Sequence, residues 1–433
     1  MQRLCQFSGT RACHRAAVAA TVLDRRPTWE ACTRCAGQQS LAQAWSHRRE
    51  QTRTFPSAAV ATLTVAGSLL IAEERRRGIS SDVGGGSTTT NASARAGFAQ
   101  IGSNAPCEDR HCIEGLSSGA LGVAVIDGHG GWQVAEYLRG HLLQVIAAEL
   151  DKVDAKLDEV QRMQAALEAG FADCEAALLR QVDQVGLSSP VIDRVARIGA
   201  CALCAVISPN HLFLANAGDC QACLVRSGEP VFLHAVHNAN QLLEQQRLSA
   251  THPGEPDAFI CKGGGINSAL GSLSGFAQIL KGGQASMPRP KACYVKGCLQ
   301  PTRSFGDFYL KYERFGAAAF ISPPHSFPYI TAIPEVVTVD RTATDEVLVL
   351  ASDGLWDYLE GADVARIVKE SLGCQSDEQS PETAKMLANA LADAVLGAAA
   401  HEYGMDKAFL KVMPQGSRRR RLIDDITVVV VLL

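Results

Sequence analysis

Four short runs of aliphatic and β-branched residues each end on, or open from, an aspartate. VAVID closes at Asp127, LFLANAGD at Asp219 and VLVLASD at Asp353, while Asp424 and Asp425 open IDDITVVVVLL. Runs of this length and composition read as buried strands. A carboxylate at the rim of a buried strand loses hydration, which is unfavourable unless positive charge meets it. Four such rims in one domain point to a convergent all-oxygen site for hard divalent cations, because Mg²⁺ and Mn²⁺ take carboxylate, carbonyl and water ligands. Asp127 and Asp353 each precede a glycine, whose missing side chain lets a backbone carbonyl and metal-bound water come close. Either Asp-Gly pair alone also fits a turn after a strand.

At 433 residues the chain exceeds one average core, yet a single large catalytic domain fits once a leader is set aside. A net charge of −4 gives no reason to expect nucleic acid as a partner. Of the 15 cysteines, three pairs have C-x-x-C spacing: Cys32/Cys35, Cys201/Cys204 and Cys220/Cys223. Residues three apart on a strand point to opposite faces, so the second and third pairs do not suit one metal. They read as small buried hydrophobes in a reducing compartment.

The first 54 residues hold nine arginines, no lysine and three acidic residues, Asp24, Glu30 and Glu50. An Arg-rich, acid-poor leader of this kind predicts mitochondrial targeting, with another organelle as the alternative. Residues 55–72 follow, 18 residues without a charge. As a helix they would be about 27 Å long, which fits either a membrane anchor or part of a cleaved or surface-lying transit region. Residues 73–97 read as a linker rich in Gly, Ser and Thr, and 98–433 as the catalytic domain.

Within that domain LGVAVI (121–126) leads into helical spacing over 132–150 and again over 154–182. Strand-like 198–207, 211–216 and 221–226 follow, and helical stretches lie at 362–372 and 382–402. This order predicts an α+β fold of two stacked antiparallel sheets with helices outside. Residues 262–290 lack a strong period and read as a flexible insertion. Arg418–Arg421 read as a solvated loop before the last strand.

VAVIDGHGG (123–131), ANAGDCQACLVR (215–226), TRSFGD (302–307), LVLASDGLWD (348–357) and DDITVVVV (424–431) resemble, in order and rough spacing, the motifs of the protein phosphatase 2C family. SNAPCEDRH (103–111), HNANQLLEQQRLSATHP (237–253) and FISPPHSFPYITAIPEV (320–336) are similar to segments of its mitochondrial pyruvate dehydrogenase phosphatase branch. The resemblance implies a four-layer α-β-β-α sandwich and a serine/threonine phosphatase that activates water with two Mg²⁺ or Mn²⁺ ions. Asp127 would bridge them, Glu108 and the Gly128 carbonyl would complete one metal, and Asp353 and Asp424 would serve the other. Asp219 with Asp353 would hold a weaker third.

His129 matches the histidine that protonates the departing oxygen, a role suited to a group whose pKa lies near working pH. Asp109 and Asp425, each beside a ligand, would orient the ligands by hydrogen bonds, and Asp357 and Arg303 would lend structural support. Many relatives carry an arginine four residues before the glutamate ligand, to clamp the substrate phosphate. Here that position is Asn104, so the clamp falls to Asn104, to Arg110 or to an insertion residue. The implied partners are a phosphoprotein, with the E1 subunit of a 2-oxoacid dehydrogenase as candidate, and a regulatory subunit. A non-catalytic adaptor of the same fold is the other reading; such decay usually removes metal carboxylates, and Glu108, Asp127, Asp353 and Asp424 are all present.

Overall fold

Two antiparallel sheets lie face to face, each carrying helices on its outer side. The computed structural model describes residues 95–116, 119–262, 292–315, 323, 325–373 and 380–433. The leader, the apolar stretch 55–72, most of the 73–97 linker, Cys32/Cys35 and the insertion apart from Lys262 lie outside the described residues. Among the described residues no helix is long and apolar enough to cross a membrane.

One sheet has the order β1 (Ala96–Ile101), β13 (Ile426–Leu432), β12 (Asp345–Ala351), β6 (Gln221–Arg226), β7 (Glu229–Phe232). The other runs β11 (Glu335–Asp340), β5 (His211–Ala217), β4 (Gly199–Ile207), β3 (Leu121–His129), β2 (Arg110–Gly115), with the two-residue β10 (Phe305–Gly306) also on β4. β1 opens inside the stretch read as linker, because Ala96–Ile101 pairs residue for residue with Val431–Ile426.

Three apolar layers explain why the strand sequences are greasy throughout instead of alternating. Val123 and Val125 of β3, Leu203 of β4, Leu214 of β5, Leu348 of β12 and Val429 of β13 fill the space between the sheets. The intervening Ala124, Ile126, Ala202 and Cys204 face outward and pack under α1 (Gln133–Lys152) and α2 (Glu159–Val185). Val349, Val428 and Val430 pack in the same way under α6 (Gly361–Leu372) and α7 (Pro381–Glu402). Each fully buried Val or Leu contributes about 1.5–3 kcal/mol relative to an exposed one, so both faces of these strands hold the sandwich together. Cys201 lies in the inter-sheet layer and Cys204 in the helix-side layer, on opposite faces as strand geometry requires.

Some boundaries differ from the sequence reading. α2 starts at Glu159, not 154, because Asp158 accepts the Gln161 amide at 2.8 Å as its N-cap, whereas Asp154 closes a separate turn onto Lys156. The Arg418–Arg421 run is no solvated loop. Ser417–Arg420 forms the short helix α9, and Arg419 is only 3% exposed. Its Nη1 donates to the carbonyls of Leu410 (2.8 Å) and Met413 (2.7 Å), at the C-terminal end of α8 (Lys407–Val412).

A separate hairpin pairs β8 (Phe259–Lys262) with β9 (Ala292–Val295), and a disulfide joins Cys261 to Cys293 directly opposite. Beside it the buried Lys296 ammonium binds Glu255 at 2.6 Å and Asp257 at 2.8 Å and lies 5.0 Å over the Tyr329 ring. The Tyr329 hydroxyl also donates to Glu255, at 2.8 Å.

Candidate active site

Antiparallel pairing gathers the aspartates at one end of the sandwich. Asp127 and His129 lie in the last three residues of β3, while Glu108 and Asp109 immediately precede β2, its antiparallel neighbour. Asp353 follows β12 by two residues, and Asp424 and Asp425 immediately precede β13, antiparallel to β12. Asp219 sits on the connection from β5 to β6, where the chain crosses from one sheet to the other. The structure therefore brings Glu108, Asp109, Asp127, Asp219, Asp353, Asp424 and Asp425 to one end of the sandwich.

Their mutual repulsion is strong. Burial pushes the Asp127 carboxyl far above the usual carboxylate range, and Asp109, Asp353, Asp424 and Asp219 push it in the same direction. Burial likewise raises Asp353, reinforced by Asp219, Asp424 and Asp357. Asp109 is pushed up to about 8, by burial first and Asp425 second. Asp424 rises to about 6 through burial, with Arg420 pulling it back. Glu108 rises through burial and Asp425, opposed by His129 and Arg420.

Asp353 Oδ1 is buried and receives no hydrogen bond, an acceptor left for a cation or a water. Asp219 is 6% exposed and accepts from Asn238 Nδ2 at 2.8 Å. Among the described residues no trio of carboxylates or imidazoles already stands in ligating geometry. Mg²⁺ retains several waters and takes only one or two carboxylates per ion, so a hydrated centre does not require such a trio. Acceptor oxygens and an orphaned buried oxygen fit hard divalent cations.

His129 has a partner that the sequence reading left without a role. Its Nε2 lies 2.6 Å from Oδ2 of Asp307, the last residue of TRSFGD. Asp307 is 1% exposed, holds a left-handed backbone (φ 48°) and accepts from Ser304 Oγ at 2.7 Å. Burial alone would depress the imidazolium, but the Asp307 carboxylate outweighs it and holds the His129 pKa above its ordinary value. The pair meets beside Gly199, where a Cβ would fall 2.0 Å from Asp307 Oδ2 and 2.5 Å from His129 Nε2.

Asp425 organises the loop that carries Glu108. It accepts from the backbone amides of Ser103 (2.5 Å), Asn104 (2.8 Å) and Glu108 (2.7 Å) and from Asn104 Nδ2 (3.0 Å). These donors overcome burial and lower its pKa. Asp109 Oδ2 accepts from Ser352 Oγ at 2.8 Å, and Ser352 Oγ in turn accepts the Thr427 amide at 3.0 Å. Both aspartates therefore hold backbone beside the cleft.

Asn104 directs an amide donor at Asp425, acting as a brace of the loop. Arg110 is excluded as a replacement clamp: it binds Glu136 Oε2 at 2.5 Å and the carbonyls of Cys107 and Asp109, and lies 5.6 Å over the Trp132 ring. Arg303 donates to the Ile333 carbonyl at 3.1 Å, in keeping with a supporting role.

The two Asp-Gly glycines owe their identity to neighbouring backbone. A Cβ on Gly128 would stand 2.4 Å from the Glu108 carbonyl oxygen, and one on Gly354 2.1 Å from that of Asp425. Each glycine lets the segment bearing another carboxylate close onto its own.

Among known proteins, the chain is 29% identical over 349 residues to "Probable protein phosphatase 2C 42" of Arabidopsis thaliana, covering 78% of each. It is also 29% identical to "Probable protein phosphatase 2C 67" of the same plant, covering 78% of this chain and 82% of that one. In fold it is similar to a C. elegans sex-determining protein, with a TM-score of 0.52 at 19% identity, over 78% of this chain and 64% of that one. Residues 100–402 match the family model for Protein phosphatase 2C, and the chain belongs to that family of metal-dependent serine/threonine protein phosphatases.

Proposed function

We propose that phosphoserine and phosphothreonine esters are hydrolysed at the Asp127 rim, where Asp127 would be the carboxylate shared by two Mg²⁺ or Mn²⁺ ions. Glu108 and the Gly128 carbonyl would complete one ion, Asp353 and Asp424 the other, and Asp219 with Asp353 a weaker third. The observation that carries this reading is the convergence of mutually repelling carboxylates around an Asp353 oxygen without a donor. When bound, the cations supply an acidified water and positive charge for the phosphoryl oxygens. His129 gives its proton to the departing serine or threonine oxygen, and Asp307 keeps the imidazole protonated until then. Asp425 and Asp109 fix the backbone on either side.

The test is turnover of a phosphothreonine peptide by the purified chain. Excess EDTA abolishes it and Mg²⁺ or Mn²⁺ restores it, whereas Asp127→Asn and Asp353→Asn remain lower by orders of magnitude with the metal present. Full activity in EDTA overturns the reading.

The Arg-rich, acid-poor leader and the three segments similar to the pyruvate dehydrogenase phosphatase branch support a finer reading. In it the chain is imported into mitochondria, is held at a membrane through 55–72, and acts with a regulatory subunit on the E1 subunit of a 2-oxoacid dehydrogenase. Fractionation of the tagged full-length chain, with phosphoproteomics after its loss, checks this. A mitochondrial, carbonate-resistant tag and a rise confined to E1 sites agree with it; a cytosolic tag or unchanged E1 phosphorylation overturns it.

A further inference from the structure

A dianionic phosphate entering a cleft of carboxylates needs a cation at the mouth besides any held within. Asn104 is neutral, and Arg110 and Arg303 are engaged elsewhere. Arg420 of α9 is differently placed. Its Nη2 lies 2.5 Å from Asp424 Oδ2, and its side chain is 48% exposed. Its charge also reaches across the cleft, countering burial at Glu108 and at Asp357. The lever that presents it is rigid at its base: the buried Arg419 is pinned to the carbonyls of Leu410 and Met413, and the Arg419 carbonyl accepts the amides of Leu422 and Ile423.

We propose that Arg420 binds the phosphoryl group of the substrate, leaving Asp424 for it when the cleft is loaded. The proposal rests on the Asp127 rim being the phosphoester site. A guanidinium carries five N–H donors in a fork that matches phosphate oxygens, and the Asp424 contact uses Nη2. A half-exposed ion pair is weakly held, so exchanging a carboxylate partner for a dianionic phosphate is favourable. The short helix immediately before the last strand therefore supplies the positive charge that position 104 lacks.

The experiment compares Arg420→Gln, Arg420→Lys, Arg421→Gln and Arg197→Gln in the full chain with Mg²⁺. It reads KM and kcat on a phosphothreonine peptide, competitive inhibition by inorganic phosphate, and calorimetric binding of inorganic phosphate. Arg420→Gln should raise KM and weaken phosphate binding roughly tenfold or more, the size of a charge-assisted hydrogen bond, while kcat moves much less. Arg420→Lys should fall between, and the exposed Arg421 should be neutral. Phosphate binding unchanged in Arg420→Gln, with only the Mg²⁺ requirement shifted, would mean that Arg420 merely neutralises Asp424 and would overturn the proposal. So would a loss confined to Arg197→Gln, which lies near Tyr309 on the other rim. Absence of metal-dependent turnover in the unmodified chain would refute the phosphatase reading itself, and phosphate calorimetry would still decide the role of Arg420.

Discussion

His129 and Asp307 are 178 residues apart in sequence and 2.6 Å apart in space. A buried carboxylate against one imidazole nitrogen fixes the ring and favours its protonated form. Replacing Asp307 by Asn keeps the shape and removes the charge, so the loss should appear where proton donation matters. On a phosphothreonine peptide, whose alkoxide is a poor leaving group, kcat should fall about 10–100-fold; on p-nitrophenyl phosphate, whose leaving group needs no proton, it should fall far less. Steady-state kinetics on both substrates checks this, and equal losses would mean that Asp307 acts by packing alone. Asp127, Asp219, Asp353, Asp424 and Asp425 were legible as a site because each ends or opens an apolar run, whereas Glu108 and Asp109 were legible only through the motif resemblance. The contacts of Asp307 and Ser352 were not legible, because each depends on a partner that only the tertiary fold brings near.

At the scale of elements, continuous apolar runs were legible as strands, and helical spacing found α1, α2, α6 and α7 within a few residues. Their limits depended on local chemistry: the Asp158 cap moved the start of α2, and β1 extends as far as β13 offers partners. Short strands such as β7, β8 and β10 carry too few residues for a period, and β10 exists through the pairing of Phe305 and Gly306 with Ala200 and Gly199 of β4.

The hairpin β8–β9 is tied to the 325–330 segment by polar contacts. Burial would raise the Glu255 carboxyl, but Lys296, Ser326 and Tyr329 outweigh it and bring its pKa from 4.5 to about 2. A depressed carboxyl contributes stability that is fully present above its unfolded pKa and is lost as pH falls through the folded one. Glu255 therefore contributes on the order of 3 kcal/mol at neutral pH, fading between pH 4.5 and about 2. Urea unfolding of the native chain and of Glu255→Gln should show a gap at pH 6.5 that more than halves at pH 3. A gap independent of pH would assign the stabilisation to shape instead of charge.

For the whole molecule, two stacked antiparallel sheets with helices outside were readable from the order of strand-like and helical stretches. What order could not give was the allocation of strands to sheets. β5 and β6 are consecutive and similar in composition, yet they belong to different sheets, and Asp219 lies on the crossing. That allocation has a consequence for the centre. Asp127 and Glu108 ride on one sheet, Asp353 and Asp424 on the other. A slide between the sheets would separate these oxygens while leaving every ladder hydrogen bond intact. Leu203, Leu348 and Val429, which pack between the sheets, thus set the reach across which a phosphoester must be gripped: the greasy middle of the sandwich is the vernier of its acidic edge.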